Sequence, residues 1–252
     1  MADLFWLNEG QIQRISPFFR SPTGGRPACR QRLLHVIRKG LRWRDTPAEY
    51  GPHKTLYNRF IRWSRMGVFN RIFAGLAGRK GQPDLLMIDA THLKAHRTAA
   101  SLLKKGLYPP RIGRTKGGLN SKLHAACDGQ GRPLVLLLSK GQMSDHKDAI
   151  LMWPSLPPAK ALLGDKGYDS NQLRHTLIDR GIEPNIPSKR NRKQSIPYDK
   201  ALCRQRHRID NMFGRPKDCR RIAMRYDRCA HTVFSAICLA CSVLFWINES
   251  RA

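Results

Sequence analysis

The sequence predicts an α/β protein: a small all-helical segment, then a mixed sheet flanked by helices. Three observations carry this. Short apolar runs of strand length occur at Leu86–Ile88, Ser121–Cys127, Pro133–Leu138, Ala161–Leu163 and in IEPNIPSK, Ile182 to Lys189. Helical patterns lie between them, in MSDHKDAILMW (with Ser144 or Asp145 as N-cap) and in NQLRHTLIDRG, stopped by Gly181. The order strand, hairpin, helix, strand, helix, strand is a layered arrangement with a mixed sheet. Residues 1–80 show helical spacing only. They read as a helical, helix-turn-helix-like domain, with the α/β domain over 81–252.

Within the first segment, Phe5 to Phe19 has helical spacing with Pro17 as a fault, and Ser21–Arg30 is a Gly- and Pro-rich loop. Arg32–Lys39 is a basic amphipathic helix ending at Gly40. Next, Leu56, Phe60 and Trp63 share a helix face while Arg59 and Arg62 turn outward, with Arg65 beyond. Aromatic residues interleaved with cations read as a core stripe backed by a phosphate-contacting surface. Val68–Leu76 is one further short helix.

The chain has 252 residues, 46 Lys and Arg against 18 Asp and Glu, and a net charge of +28. Cations spread along the whole chain point to a polyanionic partner, nucleic acid above all. A structural RNA-binding protein is the alternative at this level. No basic and apolar leader opens the chain. The most apolar run, Val233–Ile247, is shorter than the roughly 20 residues of a membrane span and reads as a buried C-terminal helix. The seven Cys are scattered, and Cys238 and Cys241 lie in that apolar run as small core residues. A reducing cytoplasm and no membrane are expected.

The chemistry centres on LLMIDATH. A buried strand runs into Asp89, and a carboxylate there needs backbone N–H groups, a partner or a cation. ALLGDKGYDS repeats the pattern with Asp165, so two carboxylates can face one metal site. His92 and His96 are four apart, but among so many cations they read as DNA contact or surface rather than a metal pair. Leu102–Asn120, with Lys116, reads as a mobile basic loop suited to nucleic-acid backbone, since Walker spacing is absent. Ser188–Lys200 is an exposed basic segment. Beyond it, Cys203, Arg206, Asp210, Phe213 and Lys217 form one helical stripe, in which Asp210 is either a surface ion pair or a third carboxylate.

These motifs resemble the bacterial insertion-sequence transposases of the DDE class, over nearly the whole chain. GLRWRDTPAEYG and TLYNRFIRWSRMG are similar to the family's N-terminal DNA-binding segment. MIDATHLKAHR, GRTKGGLNSKLH, GDKGYDS and RQRHRIDNMFGR follow the catalytic half in order. The helix signature Tyr, two residues, Arg, three residues, Glu, six residues, Lys keeps its spacing as Cys203, Arg206, Asp210 and Lys217. The resemblance implies an RNase-H-like core in which Asp89, Asp165 and Asp210 are catalytic and hold two Mg²⁺ ions, Mn²⁺ substituting. Arg59, Arg62, Arg65, Lys116, Arg206 and Lys217 would contact DNA. It further implies binding of the element's inverted repeats, cleavage and strand transfer, a homodimer or higher assembly on double-stranded DNA, no nucleotide cofactor, and a cytoplasmic, nucleoid-associated protein. Asp replaces the signature Glu and Cys the Tyr, and Pro216 stands where the helix should continue at a cost of about 3 kcal/mol in a helix interior. The alternative is therefore a catalytically impaired copy that only binds DNA.

Overall fold

A computed structural model describes residues 8–19, 28–79, 81–100 and 111–247. The loop Ser21–Arg30 lies almost wholly outside the described residues, as do the first residues of the Phe5–Phe19 helix and of the Leu102–Asn120 loop. In chain order the helices are α1 (Glu9–Ile15), α2 (Ala28–Lys39), α3 (His53–Arg65), α4 (Val68–Ala77), α5 (Arg97–Ala100), α6 (Asp145–Met152), α7 (Asn171–Asp179), α8 (Lys200–Arg204), α9 (His207–Lys217), α10 (Arg220–Ala223) and α11 (Ala230–Cys241). The strands are β1 (Leu85–Ala95), β2 (Gly113–Thr115), β3 (Gly118–Asp128), β4 (Pro133–Lys140), β5 (Ala161–Leu163), β6 (Glu183–Asn185) and β7 (Met224–Arg225).

The chain divides into two compact units. One comprises Met1–Leu76, Lys94–Pro110 and Arg215–Ala252; the other comprises Ala77–Leu93 and Arg111–Gly214. In the first unit Asn8 caps α1 through a reciprocal capping box with Gln11, and Pro17 converts the next turn to a 3-10 helix. Phe60 is buried among Trp43 and Phe69, and Trp63 meets Phe19 edge-on at 4.9 Å. Gly40 ends α2 at φ 69°, and a Cβ there would stand 2.7 Å from the Cβ of Arg220, so glycine lets α10 pack on α2. The helical N-terminal segment thus shares its core with the end of the chain. The apolar helix Ala230–Ile247 has the length and composition to cross a membrane, but 78% of it is buried inside the fold. It is a core helix whose last turn, Ser242–Ile247, is a π-helix.

The second unit is built on a mixed sheet. Its order is β2-β3-β1-β5-β6, and β4 pairs with β3 off this path. β3 and β4 pair antiparallel across the turn Asp128–Arg132, while β1, β5 and β6 are parallel. Strands covered on both faces need continuous apolar sequence, which explains the unbroken Leu-rich runs. Leu86, Ile88 and Leu162 share one face with Ala149, Met152, Leu173 and Leu177, so α6 and α7 cover that side.

Four readings from sequence require correction. Asp89 lies inside β1 rather than at its end, because the strand continues to Ala95 and its last two residues pair with β7. His92 and His96 are therefore not on a helix; His92 Nε2 meets the Gly141 carbonyl oxygen at 3.1 Å and His96 Nδ1 meets Thr98 Oγ1. Gly113–Asn120 is strand, two-residue turn and strand, not a loop, since the Asn120 amide donates to Thr115 Oγ1 at 2.6 Å and closes the turn. Finally, the signature stripe is divided between α8 and α9, with Gln205 and Arg206 in the turn between them. Pro216 is the penultimate residue of α9, where little helix is left to interrupt.

Candidate active site

Register brings the first two acids together. Met87 of β1 pairs with Leu163 of β5, and Asp89 and Asp165 each follow two residues later. Side chains two apart in extended chain share a side. Asp89 thus shares a side with Met87, and Asp165 stands just beyond the end of β5 at the matching position. Gly164 keeps this stretch close, as a Cβ there would already lie 3.3 Å from Ile88. Asp165 caps the following 3-10 turn, its Oδ1 accepting from the Gly167 N–H at 2.7 Å.

The third acid arrives on α9. Ile209, Met212 and Phe213 bury one side of this helix. Its start is seated by the turn after β3, where Gly131 has φ 78° and a Cβ would stand 2.9 Å from the Arg208 carbonyl oxygen. The Arg208 guanidinium donates to the Gly129 carbonyl oxygen in the same turn. Arg206 then reaches Asp89, with Nη1 donating to Oδ2 at 2.9 Å, the side chains being 27% and 16% exposed. Asp210, one helical turn on, is exposed.

The electrostatics tie the three together. Burial pushes the Asp89 carboxyl up, the Ala90 N–H and Arg206 oppose it, and the charges of Asp165 and Asp210 push it further, to about 6. A carboxyl raised first by burial and further by two neighbouring carboxylates is one that a cation would relieve. Among the described residues, no group of three or more His, Cys, Asp or Glu side chains stands as a preformed metal cage. Arg206 instead supplies the positive charge on Asp89. The donor set fits a hard divalent cation, which takes carboxylate oxygens.

Two groups beside these acids have no strong signal in the sequence. A Cβ on Gly167 would lie 2.8 Å from Asp165 Oδ1 and 3.1 Å from Asp145 Oδ2, so the Asp145 carboxylate stands close to that of Asp165. Asp145 is in turn held by Lys122 Nζ at 2.7 Å. Tyr168 is fully buried, and burial followed by the charges of Asp145, Asp89 and Asp165 pushes its phenol well up.

The cations named from sequence fall on both units. On α3, Arg62 and Arg65 are exposed and Arg59 is half-buried, opposite the buried Leu56, Phe60 and Ser64. The same unit has a hollow of about 570 Å³ lined by Trp43, Tyr57 and Tyr226 among Arg44, Lys54 and Arg228. Lys217 is also in that unit, near the end of α9, where burial lowers its pKa. Lys116 is exposed at the tip of the β2–β3 turn in the other unit.

Residues 7–73 match the family described as "Putative transposase of IS4/5 family", and residues 80–245 match "Transposase DDE domain". The "Putative transposase for insertion sequence element IS402" of Burkholderia cepacia is 29% identical over 161 residues, covering 56% of this chain and 74% of that one. The "Putative transposase for insertion sequence element IS6501" of Brucella ovis is 29% identical over 132 residues, covering 52% of this chain and 100% of that one. Among solved structures, the piggyBac transposase in a synaptic complex with hairpin DNA aligns with a TM-score of 0.55 at 9% identity, over 98% of this chain and 73% of that one. That likeness is one of fold, and the mixed sheet with flanking helices is RNase-H-like. With the DDE domain spanning well over half of the sequence, the chain belongs to the transposases of the DDE-domain family.

Proposed function

We propose that this transposase cuts and rejoins DNA at the ends of an insertion sequence by metal-dependent phosphoryl transfer, with Asp89, Asp165 and Asp210 as the ligands. The observation that carries this reading is the pairing of β1 with β5, which sets Asp89 and Asp165 at matching positions, while Arg206, just before α9, reaches Asp89 from the segment that carries Asp210. Mg²⁺ is the expected ion, two per site, with Mn²⁺ as substitute. When bound, such ions activate the attacking hydroxyl and stabilise the leaving oxygen. The chain's own part is positional. β1 and β5 hold two carboxylates in matched register, and α9 presents the third. Arg206 balances the charge of Asp89 and stands where it could also meet a phosphate. Arg59, Arg62, Arg65, Lys116 and Lys217 would bind duplex backbone at the element's ends and the target. Residues 1–80 supply the DNA-binding helices of this reading. A homodimer or higher assembly would pair two ends in the cytoplasm, at the nucleoid.

The division of the signature stripe between α8 and α9 favours one further reading, a copy that binds ends without cutting them. One experiment separates the two. Purified protein is incubated with end-containing duplex and Mg²⁺ or Mn²⁺. Nicking that is lost in Asp89→Asn and Asp165→Asn, with binding retained, is expected. Binding without nicking by the wild type, and nicking gained by Asp210→Glu, would replace the first reading by the second.

A further inference from the structure

We infer that the segment Ser188–Ile196 is a pre-shaped cationic loop that grips the phosphate backbone of duplex DNA next to the acids; this rests on the proposal that the chain acts on DNA. From Ser188 to Tyr198 the sequence has Lys189, Arg190, Arg192 and Lys193 and no acid. By composition alone this would be a solvated tail. In the fold it is pinned at three places.

The base is pinned by Asn185, the last residue of β6. Its amide donates to the Asp199 carbonyl oxygen at 3.1 Å and its Oδ1 accepts from the Asp199 N–H at 2.8 Å. The neck is closed by Ser188 Oγ, which accepts from the Ile196 N–H at 2.9 Å. The third pin is Asp169, whose side chain is 1% exposed. Its Oδ1 accepts from Arg174 Nε at 2.9 Å and Arg192 Nη2 at 2.9 Å, and its Oδ2 from the Lys189 N–H at 2.8 Å and Arg192 Nε at 3.0 Å. A buried carboxylate is thus fully committed to shaping the loop from beneath.

The consequence is placement. Asp169 follows Asp165 by four residues, and β6 pairs with the strand that carries Asp165. The loop is therefore fastened to the same short segment that positions the second catalytic acid. Between them lies an open hollow of about 580 Å³, lined by Asp169, Lys189, Asn191, Arg192 and Lys193. Lys193, on its lining, and Arg190, between the lining residues Lys189 and Asn191 in the chain, are both exposed. A backbone whose phosphate sits at the acids must continue past such a neighbour. Cations already held in place lose less freedom on binding than flexible ones. Amide and cation donors without a hydrophobic floor suit phosphate and sugar rather than a stacked base.

The test is a salt titration of binding to short duplex DNA in EDTA, so that cutting plays no part. Arg190→Gln/Lys193→Gln is compared with Lys147→Gln/Lys160→Gln, which removes two exposed charges elsewhere in the same unit. Losing two phosphate contacts should flatten the slope of log affinity on log salt by about 1.8. That corresponds to about 60-fold weaker binding at 0.1 M salt than the wild type. The control pair should change the slope by less than half as much. Equal effects of the two pairs would overturn the proposal, leaving only a general cationic field. A loss confined to an RNA hairpin, with duplex DNA unaffected, would overturn it too. Failure of the wild type to bind duplex DNA at low salt would instead sink the functional reading beneath it.

Discussion

Gly167→Ala isolates the placement of the Asp165 carboxylate. The backbone there is in an ordinary region, so alanine adds no conformational strain of the left-handed kind. The new methyl would instead meet Asp165 Oδ1 at 2.8 Å and Asp145 Oδ2 at 3.1 Å. Reaching an ordinary 3.4 Å contact requires about 0.6 Å of movement by the first and about 0.3 Å by the second. A misplacement of 1 Å at a reacting centre costs on the order of 100-fold in rate, so 0.6 Å should cost about 15-fold. Both obstructing atoms are tips of short side chains, and the fold should survive intact. The measurement is single-turnover nicking of end-containing duplex at saturating protein, beside thermal unfolding. A 10- to 30-fold slower rate with an unchanged midpoint is expected by this scaling. A wild-type rate in a protein that carries the substitution and folds normally would refute the argument that the Asp165 carboxylate acts from this position.

Three further outcomes follow from the same geometry. Asp169→Asn should cost about 3–5 kcal/mol in urea unfolding at pH 7, because it leaves the buried Arg174 with carbonyl oxygens but no opposite charge. Burial pushes the Asp169 carboxyl up but the bonds from Arg192, the Lys189 N–H and Arg174 outweigh this, so its contribution is present above the ordinary value near 3.9 and fades as pH falls below it; the gap between wild type and variant should narrow there. Gly131→Ala should lose about 1–3 kcal/mol, through a positive φ and a clash with the Arg208 carbonyl, and slow nicking by unseating α9, which urea melts and rate assays would read together. Asp89→Asn should abolish nicking yet stabilise the metal-free protein by about 1–2 kcal/mol at pH 7: a carboxyl raised from 3.8 to about 6 supports the fold below pH 4 and loses that support as pH rises through 6. Melting in EDTA from pH 4 to 8 would show it, and an asparagine variant less stable than wild type at pH 7 would contradict it.

What the sequence revealed was whatever depends on short-range pattern. The apolar runs became β1, β3, β4, β5 and β6, and the helices of α2, α4 and α7 end within a residue or two of their glycine or turn signals. Asp89 and Asp165 could be linked because each closes an apolar run, one and two residues beyond it, whereas their matching positions follow from the register Met87 to Leu163. What stayed hidden depends on contacts far apart in the chain. Asp145 opens a helix 20 residues before Asp165, and only a missing Cβ at Gly167 lets their carboxylates approach. The division between α8 and α9 is equally invisible, since helical spacing continues through Gln205 and Arg206. A proline suggested the fault at residue 216, whereas the break fell ten residues earlier, where no residue type announces it.

That break bears on the third acid. In an unbroken helix the 210 position would be interior, and Glu would be the better helix former there. Starting α9 at His207 moves Asp210 into the first turn, where unpaired N–H groups and the helix dipole favour a short acid. The same break aims Arg206 back at Asp89. Asp at this position is therefore locally consistent with the structure around it, not merely a truncated Glu. The two demands oppose each other in the Asp210→Glu variant. Reach toward the other acids increases by about 1.5 Å, while the first turn of α9 gives up a side chain suited to it. Should that variant cut faster while α9 holds its stability, reach is what limits the enzyme. Slower cutting with an unchanged fold would mean that the short acid and the early helix start work as one device.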